Sequence, residues 1–85
     1  MSLTPAFAPD AFSQWRALDI EFQEAVLDEV ERLCLSPPEA SEHVSDVVID
    51  RGAVRHFLFV HVVTDASRRI LTTVGVGYCV RPRLP

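Results

Sequence analysis

The sequence predicts an α+β domain in which an N-terminal helical hairpin or kinked helix packs on a small antiparallel β-meander. Three observations carry that prediction. Apolar residues recur at helical spacing up to Leu35, where Ser36-Pro37-Pro38 follows. Beyond residue 46 the pattern changes to β-branched and aromatic runs separated by short turns. Charge divides at the same place: residues 1–46 hold ten carboxylates against two arginines, and residues 47–85 hold six arginines against two aspartates.

Element by element, Pro5 and Pro9 make residues 1–9 an extended segment that cannot be a regular central strand. Residues 10–36 form the helical part. Asp10 is a candidate N-cap for a short helix that turns Phe12, Trp15 and Leu18 inward. Asp19 offers a second cap. After it, Phe22, Val26, Val30 and Leu33 fall on one helical face, with Leu27 and Cys34 beside them and Glu21, Glu24, Asp28 and Glu31 opposite. Pro37-Pro38 stops the helix. Residues 39–46 read as a polar, acidic loop, and the β-meander occupies residues 44–80. Its strands are a short run at Val47–Ile49, a long one from Val54 to Val63 and a third from Ile70 to Val80. Arg51-Gly52 and Thr64–Ser67 supply the turns, with Gly52 free to take positive φ. Such short connections make the strands antiparallel neighbours.

A chain of 85 residues, 48% hydrophobic and 24% charged, is one globular domain with a shallow core. A core that thin gains from a partner that covers apolar surface. The first ten residues carry no basic residue, so no secretory leader is expected. The longest apolar run, Phe57 to Val63, contains His61 and is too short to span a bilayer, so no membrane partner is expected. These readings place the chain in the cytoplasm. Cys34 and Cys79 are expected as two reduced, packed thiols, and no CxxC or CxxH spacing suggests a metal. No cofactor is expected, because P-loop, GxGxxG and Ser-His-Asp patterns are absent.

Strand alternation sorts the residues that could carry chemistry. Arg55, Phe57, Phe59, His61 and Val63 share one face of the long strand, and Val54, His56, Leu58, Val60 and Val62 share the other. On the third strand, Leu71, Thr73, Gly75, Gly77 and Cys79 oppose Ile70, Thr72, Val74, Val76, Tyr78 and Val80. The sheet is thus apolar on both sides: helices take one side, and the other needs a partner or a ligand. Thr73, Gly75 and Gly77 leave a trough that admits a nucleotide, a docked helix or close helix packing. His56 and His61 point to opposite faces and cannot share a metal. Arg51 and Arg55 flank the first β-turn, and Arg81 and Arg83 follow the last strand. If these ends converge they form a phosphate-binding patch; otherwise they are scattered surface charge.

The order of elements resembles the RelE/ParE superfamily of bacterial toxins. The matching stretches are Leu18 through Leu33 followed by Pro37, then Arg51-Gly52-Ala53-Val54-Arg55 entering a long strand, then Ile70 to Val76-Gly77. The resemblance spans residues 10–79. It implies the toxin component of a type II toxin–antitoxin system, RelE-like, acting on ribosome-bound mRNA. It equally implies a non-catalytic protein-binding member of the same fold, directed at DNA gyrase or degenerate. The implied partner is a cognate antitoxin or a second copy in a dimer. For a nuclease, the family's strand arginine falls on Arg55. The positions after Val76-Gly77 hold Tyr78 and Cys79, which leaves Arg81 to stand in as the second arginine. Arg55 and Arg81 would then neutralise the phosphate while His61 or Tyr78 handles protons.

Overall fold

The computed structural model describes residues 2–83. Two helices pack on one side of a four-stranded mixed sheet. In chain order the elements are β1 (Thr4–Phe7), α1 (Pro9–Arg16), α2 (Ile20–Leu35), β2 (Glu42–Arg51), β3 (Val54–Asp65) and β4 (Ile70–Pro82), with sheet order β1-β4-β3-β2. The antiparallel meander is β2-β3-β4. No helix among the described residues is long and apolar enough to cross a membrane.

The N-terminal extended segment adds a strand that proline seemed to discourage. β1 runs parallel to β4, with Thr4 opposite Ile70 and Phe7 opposite Thr73. The amides of Thr4 and Ala8 donate to the carbonyls of Arg69, just before β4, and Thr73, within it. Alternation therefore turns Pro5, which has no N–H, toward the outer edge, where nothing is lost. The amide of Leu3, on the same outer side, donates to Cys34 O of α2. This edge is thereby blunted against a further strand.

Helix α1 begins two residues earlier than the cap signal implies. Ala8 is the N-cap, Pro9 takes the first helical position, and Asp10 lies inside the first turn, where its charge suits the helix dipole. Ala11, fully buried, faces the sheet in place of Phe12, which is 45% exposed and meets Phe7 edge-on and Trp15 at a tilt. Asp19 does cap α2 by position but makes no side-chain cap hydrogen bond. The corner between the helices is fastened by Gln23, whose amide donates to Arg16 O and Leu18 O, and by Trp15 Nε1, which donates to Gln23 O. Beyond the end of β1 the β4 edge lacks a strand, and there Gln14 Oε1 accepts the Val76 amide at 2.8 Å.

The core lies between α2 and the sheet. Phe22, Val26, Val30, Leu33 and Cys34 meet Leu58, Val60, Val62, Leu71 and Val76. Leu27 is excluded from it and is 42% exposed. The β2–β3 turn has Gly52 at φ 60°, as a two-residue hairpin requires. The β3–β4 turn is Ala66–Arg69, not Thr64–Ser67, with Arg69 at φ 56° and Asp65 accepting from the Ser67 hydroxyl and Arg68 amide.

A register shift in β4 changes which residues share a face. His61 pairs with Gly75 but Val62 pairs with Thr73, so Val74 is an extra residue. Leu71 and Thr73 therefore face the helices, fully buried, whereas Gly75, Gly77 and Cys79 face away. The three-residue trough Thr73-Gly75-Gly77 is accordingly corrected to Gly75-Gly77 alone, because strict alternation fails at the bulge.

Candidate functional site

The helix-free side of the sheet is built from three rows. β2 contributes Glu42, Val44, Asp46, Val48 and Asp50; β3 contributes Val63, His61, Phe59, Phe57 and Arg55; β4 contributes Thr72, Gly75, Gly77, Cys79 and Arg81. Its centre is apolar and uncovered: Val44 is 55%, Val48 49% and Phe59 37% exposed. Phe59 stands opposite Gly77, so a raised aromatic row borders a strand with no side chain at two positions. A Cβ built at Gly77 would lie 3.5 Å from the Phe59 ring, an ordinary contact.

One end of this face carries the arginines. Arg55 and Arg81 are direct cross-strand partners. Arg55 grips Asp50 with two hydrogen bonds of 2.7 and 3.1 Å, and Arg83 Nε lies 3.8 Å from the same carboxylate. The Arg83 amide also donates to Ala53 O at 2.7 Å, which fixes the strand end against the hairpin. The hydrogen bonds from Arg55 hold the Asp50 carboxyl below its ordinary range, with Arg83 adding to the effect, and Asp50 in turn raises Arg55. Arg81 makes no ion pair among the described residues. Arg51 is not part of this end. It lies on the helix side, paired with Glu21 and stacked over Phe22 at 4.7 Å.

The proton-handling candidates are dispersed. His61 shares the open face but sits six residues along β3 from Arg55, about 20 Å at the rise of a strand, and bonds Glu42 Oε1 at 2.7 Å. Tyr78 lies on the helix side, where its hydroxyl meets His56 Nδ1 at 2.7 Å and its ring stacks on that imidazole. Arg55, Arg81 and Arg83 therefore form a unit, whereas His61, Tyr78 and Arg51 are each elsewhere. That unit can meet one anionic group, with neither His61 nor Tyr78 beside it to move a proton.

Two parts of the surface escaped the sequence reading. Val44 joins Val48 on the open face because β2 starts at Glu42, inside the stretch read as a loop. Residues 42–46 gave no signal for it, because polar and apolar residues do not alternate there. The His56–Tyr78 pair was invisible because it depends on which β4 residues follow the bulge. Cys34, on the buried face of α2 with its thiol pKa raised by burial, and Cys79, on the open face, are both free thiols on opposite sides of the sheet.

No protein-family model and no curated protein matches the sequence. Solved structures do match. A substituted E. coli toxin RelE in the free state superposes with a TM-score of 0.70 and 16% identity, over 91% of this chain and 83% of that one. A chain of the intact E. coli RelBE toxin–antitoxin complex gives 0.66 and 16%, over 89% and 95%. The archaeal RelE–RelB complex from Pyrococcus horikoshii OT3 gives 0.60 and 12%, over 98% and 97%. The chain has the RelE-type toxin fold.

Proposed function

We propose that this chain is the toxin member of a toxin–antitoxin pair and that it acts by binding a protein through the helix-free face of its sheet. An antitoxin covers that face in the neutral complex. The fold supports the first part, since two of the similar structures are RelE held by RelB. The observation that carries the second is the uncovered apolar surface of Val44, Val48, Phe59 and Val63, with the partly buried Phe57 beside them. Completing the burial of each half-exposed side chain is worth roughly 1 kcal/mol. A polyanion would gain little there. Nucleic-acid affinity comes chiefly from phosphate neutralisation, yet Glu42, Asp46 and Asp50 line the face and Arg55 is already engaged.

A second reading, cleavage of ribosome-bound mRNA, draws on one observation: Arg55 and Arg81 are cross-strand partners with Arg83 close by. The two readings separate in one experiment. Induced expression in E. coli is expected to arrest growth, Phe57→Ser with Phe59→Ser to abolish the arrest, and Arg81→Ala to leave it. Primer extension on mRNA from the same cells is expected to show no induced cleavage. Induced cuts that vanish with Arg81→Ala would replace the binding reading by the nuclease one, and unimpeded growth would remove the toxin reading altogether.

A further inference from the structure

The two edges of the sheet differ. Along β1, Pro5 and the bond from the Leu3 amide to Cys34 O close the outer side. β2 is the other edge, and it pairs with β3 alone. Which of its backbone groups are left over follows from register. The Thr64 amide donates to Ser41 O at 2.7 Å, one step beyond the Glu42–Val63 pair. In an antiparallel ladder every second residue repeats that exchange. His43, Ser45, Val47, Ile49 and Arg51 therefore direct their amides and carbonyls to β3. Glu42, Val44, Asp46, Val48 and Asp50 turn theirs outward, and nothing else among the described residues takes them up.

The same residues carry their side chains on the helix-free face, so a strand added here meets them one by one. Along that row acids alternate with valines. Glu42 is already bonded to His61 and Asp50 to Arg55. Asp46, midway between them, is exposed and makes no ion pair among the described residues. Charge then selects the occupant. A second copy pairing β2 with β2 in full antiparallel overlap sets Asp46 against Asp46, Glu42 against Asp50 and Val44 against Val48. Like charges directly opposite destabilise such a pair. The row holds no basic residue, so no register between two copies brings opposite charges together.

We infer that the β2 edge receives an extended segment of a partner polypeptide in which a basic residue is flanked, at alternate positions, by apolar ones. The segment continues the backbone ladder along residues 42–50. Its arginine or lysine meets Asp46, and its apolar side chains cover Val44 and Val48. The inference rests on the protein-binding reading, since it names the chemistry of that partner, but it is tested without growth arrest.

The probe is acetyl-Thr-Val-Thr-Arg-Thr-Val-Thr-amide, titrated into the intact chain and followed by two-dimensional NMR. It is expected to shift the amides of residues 42–50 saturably. Glutamate in place of its arginine is expected to weaken binding about tenfold, since a favourable cross-strand pair becomes a repulsive one. Methylation of the arginine amide, which faces β2, is expected to abolish binding. Methylation of the next threonine amide, which faces solvent, is expected to be tolerated. Asp46→Arg, an exposed substitution that leaves the fold intact, is expected to reverse the preference toward the glutamate peptide. No binding, equal binding of the two peptides, or indifference to the site of methylation would overturn the inference. Protection of residues 42–50 in a self-associated dimer would overturn it in favour of a second copy. Binding that ignores charge and methylation but is lost in Phe57→Ser with Phe59→Ser would overturn the edge assignment and leave the protein-binding reading standing. The predicted peptide preferences together with unimpeded growth would support the edge assignment and remove the toxin role.

Discussion

The two faces of the sheet are made from the same kinds of residue and have opposite fates. On the helix side, Leu58, Val60, Val62 and Leu71 are fully buried under α2. On the other side, Phe59 and Val63 of β3 with Val44 and Val48 of the neighbouring β2 keep between 37% and 55% of their surface in water. Strand alternation alone cannot produce this contrast, because both sets are apolar. What separates them is the pair of helices, which covers one side only. An apolar face that the fold leaves uncovered costs solubility and returns nothing to stability, so its value lies in what docks on it.

The largest expected effect tests the buried side. Leu58→Ala empties a fully buried position beneath α2 and is expected to cost 2–5 kcal/mol, read as a drop in the thermal midpoint of more than about 8 °C. On the other side of the same strand, Phe59→Ser is expected to change stability by less than about 1 kcal/mol while abolishing growth arrest. Comparable losses of stability from both substitutions would erase the distinction between the faces.

Smaller effects sharpen the comparison at the strand ends. Gly52 sits at φ 60° with open space around its Cα. Gly52→Ala is therefore a purely backbone penalty, expected at about 1–2 kcal/mol in a urea titration. Arg69 holds φ 56° without the freedom of glycine, and Arg69→Gly is expected to be neutral or to stabilise by a few tenths of a kcal/mol, since relief of strain is partly offset by chain entropy.

The pH response should be shallow. Glu29, Asp50 and Asp65 are all held below the ordinary carboxylate range, chiefly by hydrogen bonds from Arg32, Arg55 and Ser67 respectively. A carboxylate lowered in the folded state stabilises fully above the unfolded value, about 4, and loses that contribution as pH falls through its folded value. The urea midpoint is thus expected to be flat from pH 7 to pH 5 and to fall below pH 4. Asp50 and Asp65 are screened by solvent and contribute little, so the decline should come mainly from Glu29, whose side chain is 13% exposed, and Asp50→Asn should flatten it only slightly.

Much of the architecture was legible because it rests on local periodicity. The α2 core stripe at Phe22, Val26, Val30 and Leu33, the hairpin at Gly52 and the meander all follow from spacing and turn chemistry. Features that depend on tertiary pairing were not. Nothing near Pro5 announces that its missing N–H will face an outer edge, so β1 could not be inferred from the residues alone. The bulge at Val74 has no marker either, and it moved Thr73 from the candidate trough into the core. For the site, alternation correctly placed Arg55 and His61 on one face but says nothing of distance along it, and the cross-strand meeting of Arg55 with Arg81 was set by register. Arg51 went to the other side because it lies one residue beyond Asp50, and a shift of one residue reverses a strand face.

What touches the open face in a living cell separates protein binding from RNA binding. A photo-reactive benzoylphenylalanine placed at Phe59, with one at helix-side Phe12 as the control, reads this directly after irradiation of induced cells. The account predicts a discrete adduct at position 59 that is destroyed by protease and resistant to ribonuclease, with no such band from position 12. An adduct at position 59 that ribonuclease removes, or none at all, would contradict it.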